Sequence, residues 1–403
     1  MRRCFILGNK RGDYFHADRV RREAGPIRFI AIHDRAHAAF LSTEFRAQMD
    51  AVVELERLDV ESVGRVIAAE AASDGDVLVC ADEELLFVAA HLRERFAIPG
   101  VRPRSLIPYK TKRLMKQVLQ ANGLRAPRFV DVDTLHSRAS LERYFDFLAD
   151  TLGAPFVVKP IDGGASENTV KAASWRDLER WFRECSAAAG ESTAEEFIDG
   201  DMFCCDGIVR GGKTVIHEVW RYLAPCLNFM SGQGIGGIPL RRDDALRARL
   251  VAFNERVLAA LACPDGAFHN EFIVKKDGEL VFIEAAARPP GNLNPLILEK
   301  NFGVNLYEAL LRLELGVEIP AAGAASPSYA YALLPTRPGT VKALREPALA
   351  SFESVSWGVK VGDRFEGFPR SIAEGIAAKV ILRNPEYARL ESDLFALLDY
   401  EPY

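Results

Sequence analysis

The segment HNEFIVKKDGELVFIE, residues 269–284, most constrains the fold because its pattern predicts two antiparallel strands joined by a tight turn. Asp277-Gly278 favours a two-residue type I′ turn, which would place Glu271 directly opposite Glu284. Both faces of this hairpin are largely apolar, so we expect it to be buried in a larger sheet. Two buried carboxylates that face each other require a compensating cation. That cation is either a divalent metal with oxygen ligands, such as Mg²⁺, or a neighbouring Arg or Lys.

Composition indicates a globular chain of two or three domains. The chain has 403 residues, of which 49% are apolar, and a net charge of −5 without a block of basic residues. We therefore expect small-molecule or protein partners and no nucleic acid. No apolar run approaches the roughly 18 residues of a membrane span, and the apolar stretch at the start is too short for a signal peptide. Seven cysteines without CxxC or zinc spacing fit reduced thiols in a cytoplasmic protein.

The order of apolar runs predicts an α/β fold with α+β subdomains. Residues 1–105 alternate short apolar runs with helical patterns, which indicates a Rossmann-like domain with a parallel sheet. Residues 106–320 form a central region, and a smaller α/β subdomain occupies about 125–200 of it. The small-residue linker AAGAAS then leads into a C-terminal lobe, so the last predicted domain covers 321–403.

A lysine and a glycine-rich loop form the first candidate phosphate site. The apolar strand PFVV ends at Lys159, and a loop with bare backbone amides follows it. The lysine precedes the glycines, so this is not a P-loop. Lys112, at the start of a predicted amphipathic helix, would supply a second cation, and Lys110 competes for the same role. The loop candidates are Gly163, Gly164, Ala165 and Ser166.

The segment TAEEFI offers a base-recognition element. Glu195 or Glu196, together with the strand-edge amides of Phe197 and Ile198, would suit an adenine amino group. The alternative is a pair of exposed strand carboxylates. Further along, Arg288 follows the predicted metal strand, and its planar, permanently charged guanidinium suits a carboxylate, a phosphate or an oxyanion.

Five further residues are candidates for substrate contacts. His269 shares a strand face with Glu271 and would touch the substrate or the metal's ligands, or else would be a hydrogen-bonded core histidine. The stretch SGQGIGGIP, from Ser231 to Pro239, would be a flexible lid or an ordinary loop. Residues just before it would line a pocket or pack in the core. The candidates are His269, Trp220, Tyr222, Ser231 and Gly232.

Taken in order, these elements resemble the ATP-grasp superfamily, and most of all its carboxylate-amine ligases of the L-amino-acid ligase kind. The resemblance implies that two subdomains hold ATP between them, with Mg²⁺ on Glu271 and Glu284. It implies that Lys112 and Lys159 hold the α- and β-phosphates and that loop 162–168 closes over the triphosphate. Glu195 and the Ile198 backbone would meet adenine.

The resemblance also implies a reaction. ATP, with two Mg²⁺ ions or Mn²⁺ in their place, would activate a carboxylate as an acylphosphate, which an amine attacks to form an amide or dipeptide bond. Lys159 and Arg288 would act catalytically, Arg288 on the oxyanion. The alternatives are a kinase or carboxylase relative, or a nucleotide-binding regulator without turnover. A homodimer formed through the N-terminal domain is also implied.

The chain departs from the usual pattern of this superfamily at three positions. The place of a customary third metal ligand is taken by Ala286, so Asn292 or water would substitute. A customary ribose ligand is replaced by Met202, which leaves Asp201 or Asp206 for that role. The lysine that opens the helix follows a threonine rather than the customary aspartate.

Overall fold

The computed structural model describes residues 1–9, 14–70, 75–133, 140–162, 164, 166–185, 190–323 and 326–403. Its N-terminal part is a parallel sheet between helices, which confirms the predicted α/β layer. The strands are β1 (Arg2–Leu7), β2 (Ile27–Asp34), β3 (Ala51–Leu55) and β4 (Val77–Cys80), in the order β3-β2-β1-β4. The helices are α1 (Ala17–Ala24), α2 (Arg35–Ala38), α3 (Thr43–Gln48), α4 (Val60–Ala69) and α5 (Leu86–Arg95).

Both faces of this sheet are covered, as its continuous apolar strands require. Cys4 and Ile6 on β1 belong to one core cluster, whereas Phe5 and Leu7 belong to another. The first cluster also contains Leu311 from the central region, so the N-terminal sheet shares a core with the rest of the chain. A short 3₁₀ turn, Glu83–Leu85, follows β4.

Two helices connect this layer to the central region: α6 (Pro103–Lys110) and α7 (Lys112–Ala121). The buried positions of α7 are spaced as i, i+3, i+4 and i+7, which is one helical face. They are Lys112, Met115, Lys116 and Leu119. The apolar periodicity of this helix therefore turns two lysines toward the interior together with a methionine and a leucine.

A small antiparallel sheet with two helices on one face forms the first part of the central region. Its elements are β5 (Phe129–Asp131), α8 (Leu141–Leu152), β6 (Phe156–Pro160), β7 (Val170–Ala172), α9 (Trp175–Glu184) and β8 (Ser192–Glu196), with the strand order β5-β8-β6-β7. Phe156 and Val158 pack with the helices. Because strand residues alternate between faces, Lys159 lies on the opposite face, away from the helices.

An antiparallel eight-stranded sheet dominates the rest of the molecule, with the strand order β13-β12-β9-β10-β11-β14-β18-β16, and β15 and β17 pair in a separate two-stranded sheet. The elements of this part are β9 (Asp201–Arg210), β10 (Lys213–Tyr222), β11 (Ile235–Pro239), α10 (Ala245–Ala260), β12 (Gly266–Val274), β13 (Leu280–Ala286), α11 (Asn294–Phe302), α12 (Leu306–Leu315), β14 (Ser328–Pro335), β15 (Gly339–Thr340), β16 (Phe352–Trp357), β17 (Arg364–Phe365), β18 (Ile376–Asn384) and α13 (Tyr387–Phe395). The predicted boundary near residue 320 lies between α12 and β14, while the sheet continues across it through the β11–β14 pairing.

No helix in the described ranges is both long enough and apolar enough to cross a membrane.

The β12–β13 hairpin forms as predicted, but its turn differs. Lys275 and Glu279 close a three-residue loop in which Gly278 has φ +85°, rather than a two-residue turn. This loop shifts the register by one residue, and a bulge between Glu271 and Phe272 shifts it back. Glu271 therefore still pairs with Glu284.

Candidate active site

The paired glutamates lie where α7 meets the β12–β13 hairpin. Glu271 and Glu284 are direct cross-strand partners, and Lys112 Nζ lies 3.2 Å from Glu284 Oε1. Burial raises the pKa of Glu284, but Lys112 and Lys159 outweigh it, so this pKa lies below its ordinary value. Lys112 thus places one positive charge beside Glu284. Lys110 lies instead at the end of α6, among the residues that line a small cavity beside Glu83.

A second charge cluster joins α7 to the small sheet. Glu195 on β8 accepts contacts from two lysines, Lys116 Nζ at 2.8 Å and Lys159 Nζ at 3.0 Å. Burial alone would raise the pKa of Glu195, but the two ammonium groups lower it to about 2. The side chain of Lys116 is fully buried, and this burial lowers its pKa to about 8.

Lys116 is a site residue that the sequence reasoning missed. The signal was present, because Lys116 follows Lys112 by four residues and therefore shares its helix face. In the structure, Lys116 has no exposed surface.

The two clusters together carry balanced charge. The three lysines, 112, 116 and 159, face the three glutamates, 195, 271 and 284, so their formal charges sum to zero. A triphosphate that carries four negative charges together with two divalent cations would also be neutral. Such a ligand could therefore enter without leaving an unpaired buried charge.

The donor set fits a hard divalent cation. Glu271 and Glu284 offer carboxylate oxygens on adjacent strands, which are the ligands that Mg²⁺ prefers. The buried Ala286 offers no side-chain ligand, as its sequence position indicates. Asn292 has φ +53°, and its carbonyl oxygen accepts a hydrogen bond from the Tyr14 hydroxyl at 3.0 Å. Its role as a third ligand stays a prediction.

Arg288 contacts the N-terminal domain. Its Nε and Nη2 atoms lie 2.9 and 2.8 Å from the same oxygen of Glu83, and its Nη1 donates to the Pro289 carbonyl at 3.0 Å. Glu83 lies in the 3₁₀ turn after β4, at the carboxyl end of a parallel strand. Sequence reasoning did not identify Glu83, because nothing in its local sequence relates it to a residue more than 200 positions away.

His269 joins a buried aspartate to the paired glutamates through Glu271. Its Nδ1 lies 2.6 Å from Asp206 Oδ1, and its Nε2 lies 3.5 Å from Glu271 Oε1. Burial alone would lower the pKa of His269, but Asp206 raises it to about 9. Asp206 has no exposed surface, which argues against the ribose role. The other ribose candidate, Asp201, pairs with Arg221 at 2.9 Å and has an exposed side chain.

The remaining nucleotide candidates separate in space. Glu196 does not point toward the lysines, because it pairs with Arg125 at 2.7 Å and with Arg128. Phe197 lies beneath the ammonium of Lys171, and Ile198 is buried in an apolar cluster at the hairpin. In the loop, Gly164 is exposed and Ser166 has φ +58°, while Gly163 and Ala165 fall outside the described residues.

The predicted lid is wrong over most of its length. Residues 235–239 form β11, a fully buried strand in the middle of the large sheet. Its glycines permit close strand approach, since a Cβ atom on Gly236 would lie 2.0 Å from the Tyr331 carbonyl oxygen. Only Ser231 is exposed, whereas Gly232 is buried beneath Phe368.

The two aromatic candidates lie on the same sheet face as Cys204. Trp220 has no exposed surface and belongs to the main core, which supports the alternative of core packing. Tyr222 is partly buried and lies two residues further along the same strand, so it points to the same face as Trp220.

This architecture has the fold of the ATP-grasp enzymes, as the sequence resemblance implies. The solved structure of an L-amino acid ligase from Bacillus licheniformis superimposes with a TM-score of 0.74 at 20% identity, covering 98% of this chain and 97% of that one. An N5-carboxyaminoimidazole synthetase from Staphylococcus aureus complexed with ADP gives a TM-score of 0.68 at 12% identity, over 98% and 96% of the two chains.

Two curated relatives are named as ligases of amino acids. An L-arginine-specific L-amino acid ligase of Bacillus subtilis is 26% identical over 279 residues, which cover 66% of this chain and 64% of the relative. A D-alanine–D-alanine ligase of Ralstonia pickettii is 32% identical over 142 residues, which cover 34% and 40%. The matched region thus spans less than two thirds of either relative. No family model matches the chain.

Proposed function

We propose that this chain is an ATP-dependent ligase that joins the carboxylate of one amino acid to the amine of another. The observation that carries the proposal is the pairing of Glu271 with Glu284, with Lys112 Nζ 3.2 Å from Glu284. Opposed carboxylates with a lysine beside them suit a metal-bound polyphosphate, and few other ligands require that combination. Similarity to the L-amino acid ligase and to the D-alanine–D-alanine ligase supports the amino-acid substrate class.

ATP would lie between the small sheet and the large one. Lys112 and Lys159 would hold its phosphates, and Lys116 would add a third ammonium group from the same helix face as Lys112. Glu195 lies within 3.0 Å of both Lys116 and Lys159, so it would orient these lysines as well as accept a hydrogen bond from the adenine amino group. Loop 162–168 would cover the triphosphate.

Mg²⁺ would be held by Glu271 and Glu284, with Asn292 as the proposed further ligand. When bound, the metal would neutralise phosphate charge and make the γ-phosphorus a better electrophile. Two ions are proposed, with Mn²⁺ as a substitute, because the neutral sum of the six side chains suits a neutral complex of ATP with two divalent cations.

The chain's own residues would then support two steps. A carboxylate oxygen of the first amino acid attacks the γ-phosphorus, the bond to ADP breaks, and an acylphosphate forms. The amine of the second amino acid attacks the acyl carbon, phosphate leaves with the former carboxylate oxygen, and the amine releases a proton. Arg288 would hold the carboxylate first and then stabilise the oxyanion. Glu83 fixes the guanidinium of Arg288 from the N-terminal domain.

The first test is ADP release from pairs of amino acids with ATP and Mg²⁺, followed by mass spectrometry of the products. We expect an amide product from at least one pair and loss of turnover in Glu284→Gln. Glu279→Gln is the matched control, because Glu279 lies in the same hairpin but pairs with Lys275 on the outer loop. Absence of ADP release above background from every pair would contradict the proposal.

Trapping with hydroxylamine distinguishes amide ligation from phosphorylation of a hydroxyl. An acylphosphate reacts with hydroxylamine to give a hydroxamate, whereas a phosphate ester does not. We expect a hydroxamate from the first amino acid when the amine is left out.

We also propose that the protein is cytoplasmic and that it forms a homodimer through its N-terminal domain.

A further inference from the structure

Three side chains with metal-binding atoms meet on one face of the β9–β12 pair. Cys204 and Asp206 are two residues apart on β9 and therefore point to the same face. Asp206 is the direct cross-strand partner of His269, and Cys204 is the partner of Glu271. These four residues form the corners of a square on the sheet, and one corner, Glu271, belongs to the proposed magnesium site.

The first three of these residues are close enough to bind one ion. A ligand atom from each of Cys204, Asp206 and His269 lies within 4.8 Å of the other two. The Cys204 sulfur lies 3.8 Å from Asp206 Oδ2, and His269 Nδ1 lies 2.6 Å from Asp206 Oδ1. Cys204 and Asp206 have no exposed surface. Thiolate, imidazole and carboxylate are the donor set of zinc, with three protein ligands leaving one position open.

Two of these ligands, His269 and Asp206, also have an outer partner that holds them in place. His269 Nε2 lies 3.5 Å from Glu271 Oε1, so the ring can bind a cation through Nδ1 and donate its other N–H to a carboxylate. Asp206 Oδ2 accepts from Asn294 Nδ2 at 3.4 Å. Histidine bonded to a carboxylate behind the metal is a recurrent feature of zinc sites.

Two buried polar atoms beside the cluster have no hydrogen-bond partner among the described residues. They are the Oδ1 atom of Asn294 and the indole Nε1 of Trp220. Asn294 already contacts Asp206 through its other amide atom, and Trp220 pairs directly with Cys204 across the strands. A water molecule in the open coordination position would donate to the Asn294 oxygen.

We propose that Cys204, Asp206 and His269 form a binding site for a thiophilic divalent cation, Zn²⁺, separate from the magnesium site. On binding, the Cys204 thiol proton and any proton on His269 Nδ1 pass to solvent, and bonds form from Sγ, Nδ1 and an Asp206 oxygen to the ion. The soft thiolate selects Zn²⁺ over Mg²⁺, whereas the two glutamates select the harder ion. The bound ion fixes the imidazole with its Nε2–H toward Glu271.

The test uses the full-length protein, freed of metal with a chelator and titrated with Co²⁺ and then with Zn²⁺. We expect a near-ultraviolet charge-transfer band from thiolate to Co²⁺, which Zn²⁺ displaces. Cys204→Ser should abolish the band. Cys205→Ser is the matched control, since Cys205 is equally buried but points to the other face of the same strand, and it should keep the band.

Two further variants test whether the band depends on the proposed magnesium site and whether the outer partners contribute to binding. Glu284→Gln should keep the Co²⁺ band, because Glu284 belongs only to the proposed magnesium site. Asn294→Ala should weaken Zn²⁺ binding by about 10- to 100-fold, as expected for loss of the outer partner of Asp206. A wild-type protein that gives no thiolate band, or a Cys204→Ser variant that keeps it, would overturn the proposal. Both outcomes are independent of ligase activity.

Discussion

Lys116 and Glu195 form an ion pair with an Nζ–Oε1 distance of 2.8 Å, and neither residue has more than 3% of its surface exposed. The pair links α7 to the small sheet, and Lys159 completes it from β6. A buried ion pair contributes little to stability on its own, but loss of one partner is costly. The position of this pair beside the glutamates of the large sheet therefore indicates a functional reason for its burial.

Lys116→Met should impair ATP binding. The substitution leaves Glu195 with Lys159 as its single cation and removes an ammonium group from the proposed phosphate site. We expect the KM for ATP to rise about 10-fold, which corresponds to one lost charged hydrogen bond. Initial rates at varied ATP measure this change. Lys342→Met, at an exposed lysine, is the control, and an unchanged KM in Lys116→Met would contradict the role.

The KM for ATP should also depend on pH through Lys116. Its pKa is lowered from 10.5 to about 8 by burial, so the ammonium group loses its proton as the pH rises through about 8. The phosphate contact is then lost, and the KM for ATP should rise between about pH 7 and 9. Lys116→Arg retains its charge at these pH values and should remove that rise. A rise that persists in Lys116→Arg would assign the titration to another group.

The charge of Glu195 should contribute to stability in a defined pH range. Its pKa is lowered from 4.5 in the unfolded chain to about 2 in the folded one. The folded state therefore binds fewer protons, so this contribution is complete above about pH 4.5 and is lost as the pH falls toward 2. The free energy of unfolding of wild type minus that of Glu195→Gln, from urea titrations, should shrink over this range. A difference that is constant with pH would contradict the assignment.

Glu83→Gln should loosen Arg288 without removing it. The neutral amide is a weaker partner for the guanidinium, so the arginine becomes less well oriented toward the substrate carboxylate. We expect kcat/KM for the amino acid to fall by about 10- to 100-fold, while the KM for ATP changes little. Steady-state kinetics on both substrates measure this split. Glu84→Gln, an exposed neighbour in the same 3₁₀ turn, should retain wild-type values.

Gly236→Ala should destabilise the protein, because the new Cβ atom would lie 2.0 Å from the Tyr331 carbonyl oxygen. That oxygen belongs to a paired strand and cannot move aside without disrupting the sheet. We expect a loss of about 3 kcal/mol or more in the free energy of unfolding, measured by urea titration. Gly367→Ala, where no atom lies within 4 Å, is the control and should lose less than about 1 kcal/mol.

In the β12–β13 hairpin, the sequence predicts the correct pair of residues but the wrong turn. The pairing of Glu271 with Glu284 was predicted from a two-residue turn, whereas the chain uses a three-residue loop and a compensating bulge. Period-two alternation identifies strands from sequence, but a bulge depends on what packs against them. The glycines of β11 led instead to a wrong prediction, that of a lid. Glycine is common both in mobile loops and in closely packed strands, so its presence does not distinguish the two.

The contacts that sequence could not predict are those between distant elements. Lys112 and Lys159 stand beside motifs that identify them, but Glu83 becomes relevant only when a parallel strand of the N-terminal domain ends next to Arg288. The position of Lys116 on the site-facing side of α7 could have been predicted, because it lies one helical turn after Lys112. The burial that makes it unusual is a tertiary property and is absent from the local pattern.

The position of β11 in the large sheet has a consequence for how the chain is made. The strand pairs with β10 on one side, but its partner on the other side, β14, follows only after the β12–β13 hairpin and three helices, α10, α11 and α12. During synthesis on the ribosome, the apolar edge of β11 stays open until β14 has emerged. The nascent protein thus passes through an aggregation-prone interval that ends only when its C-terminal strands are complete.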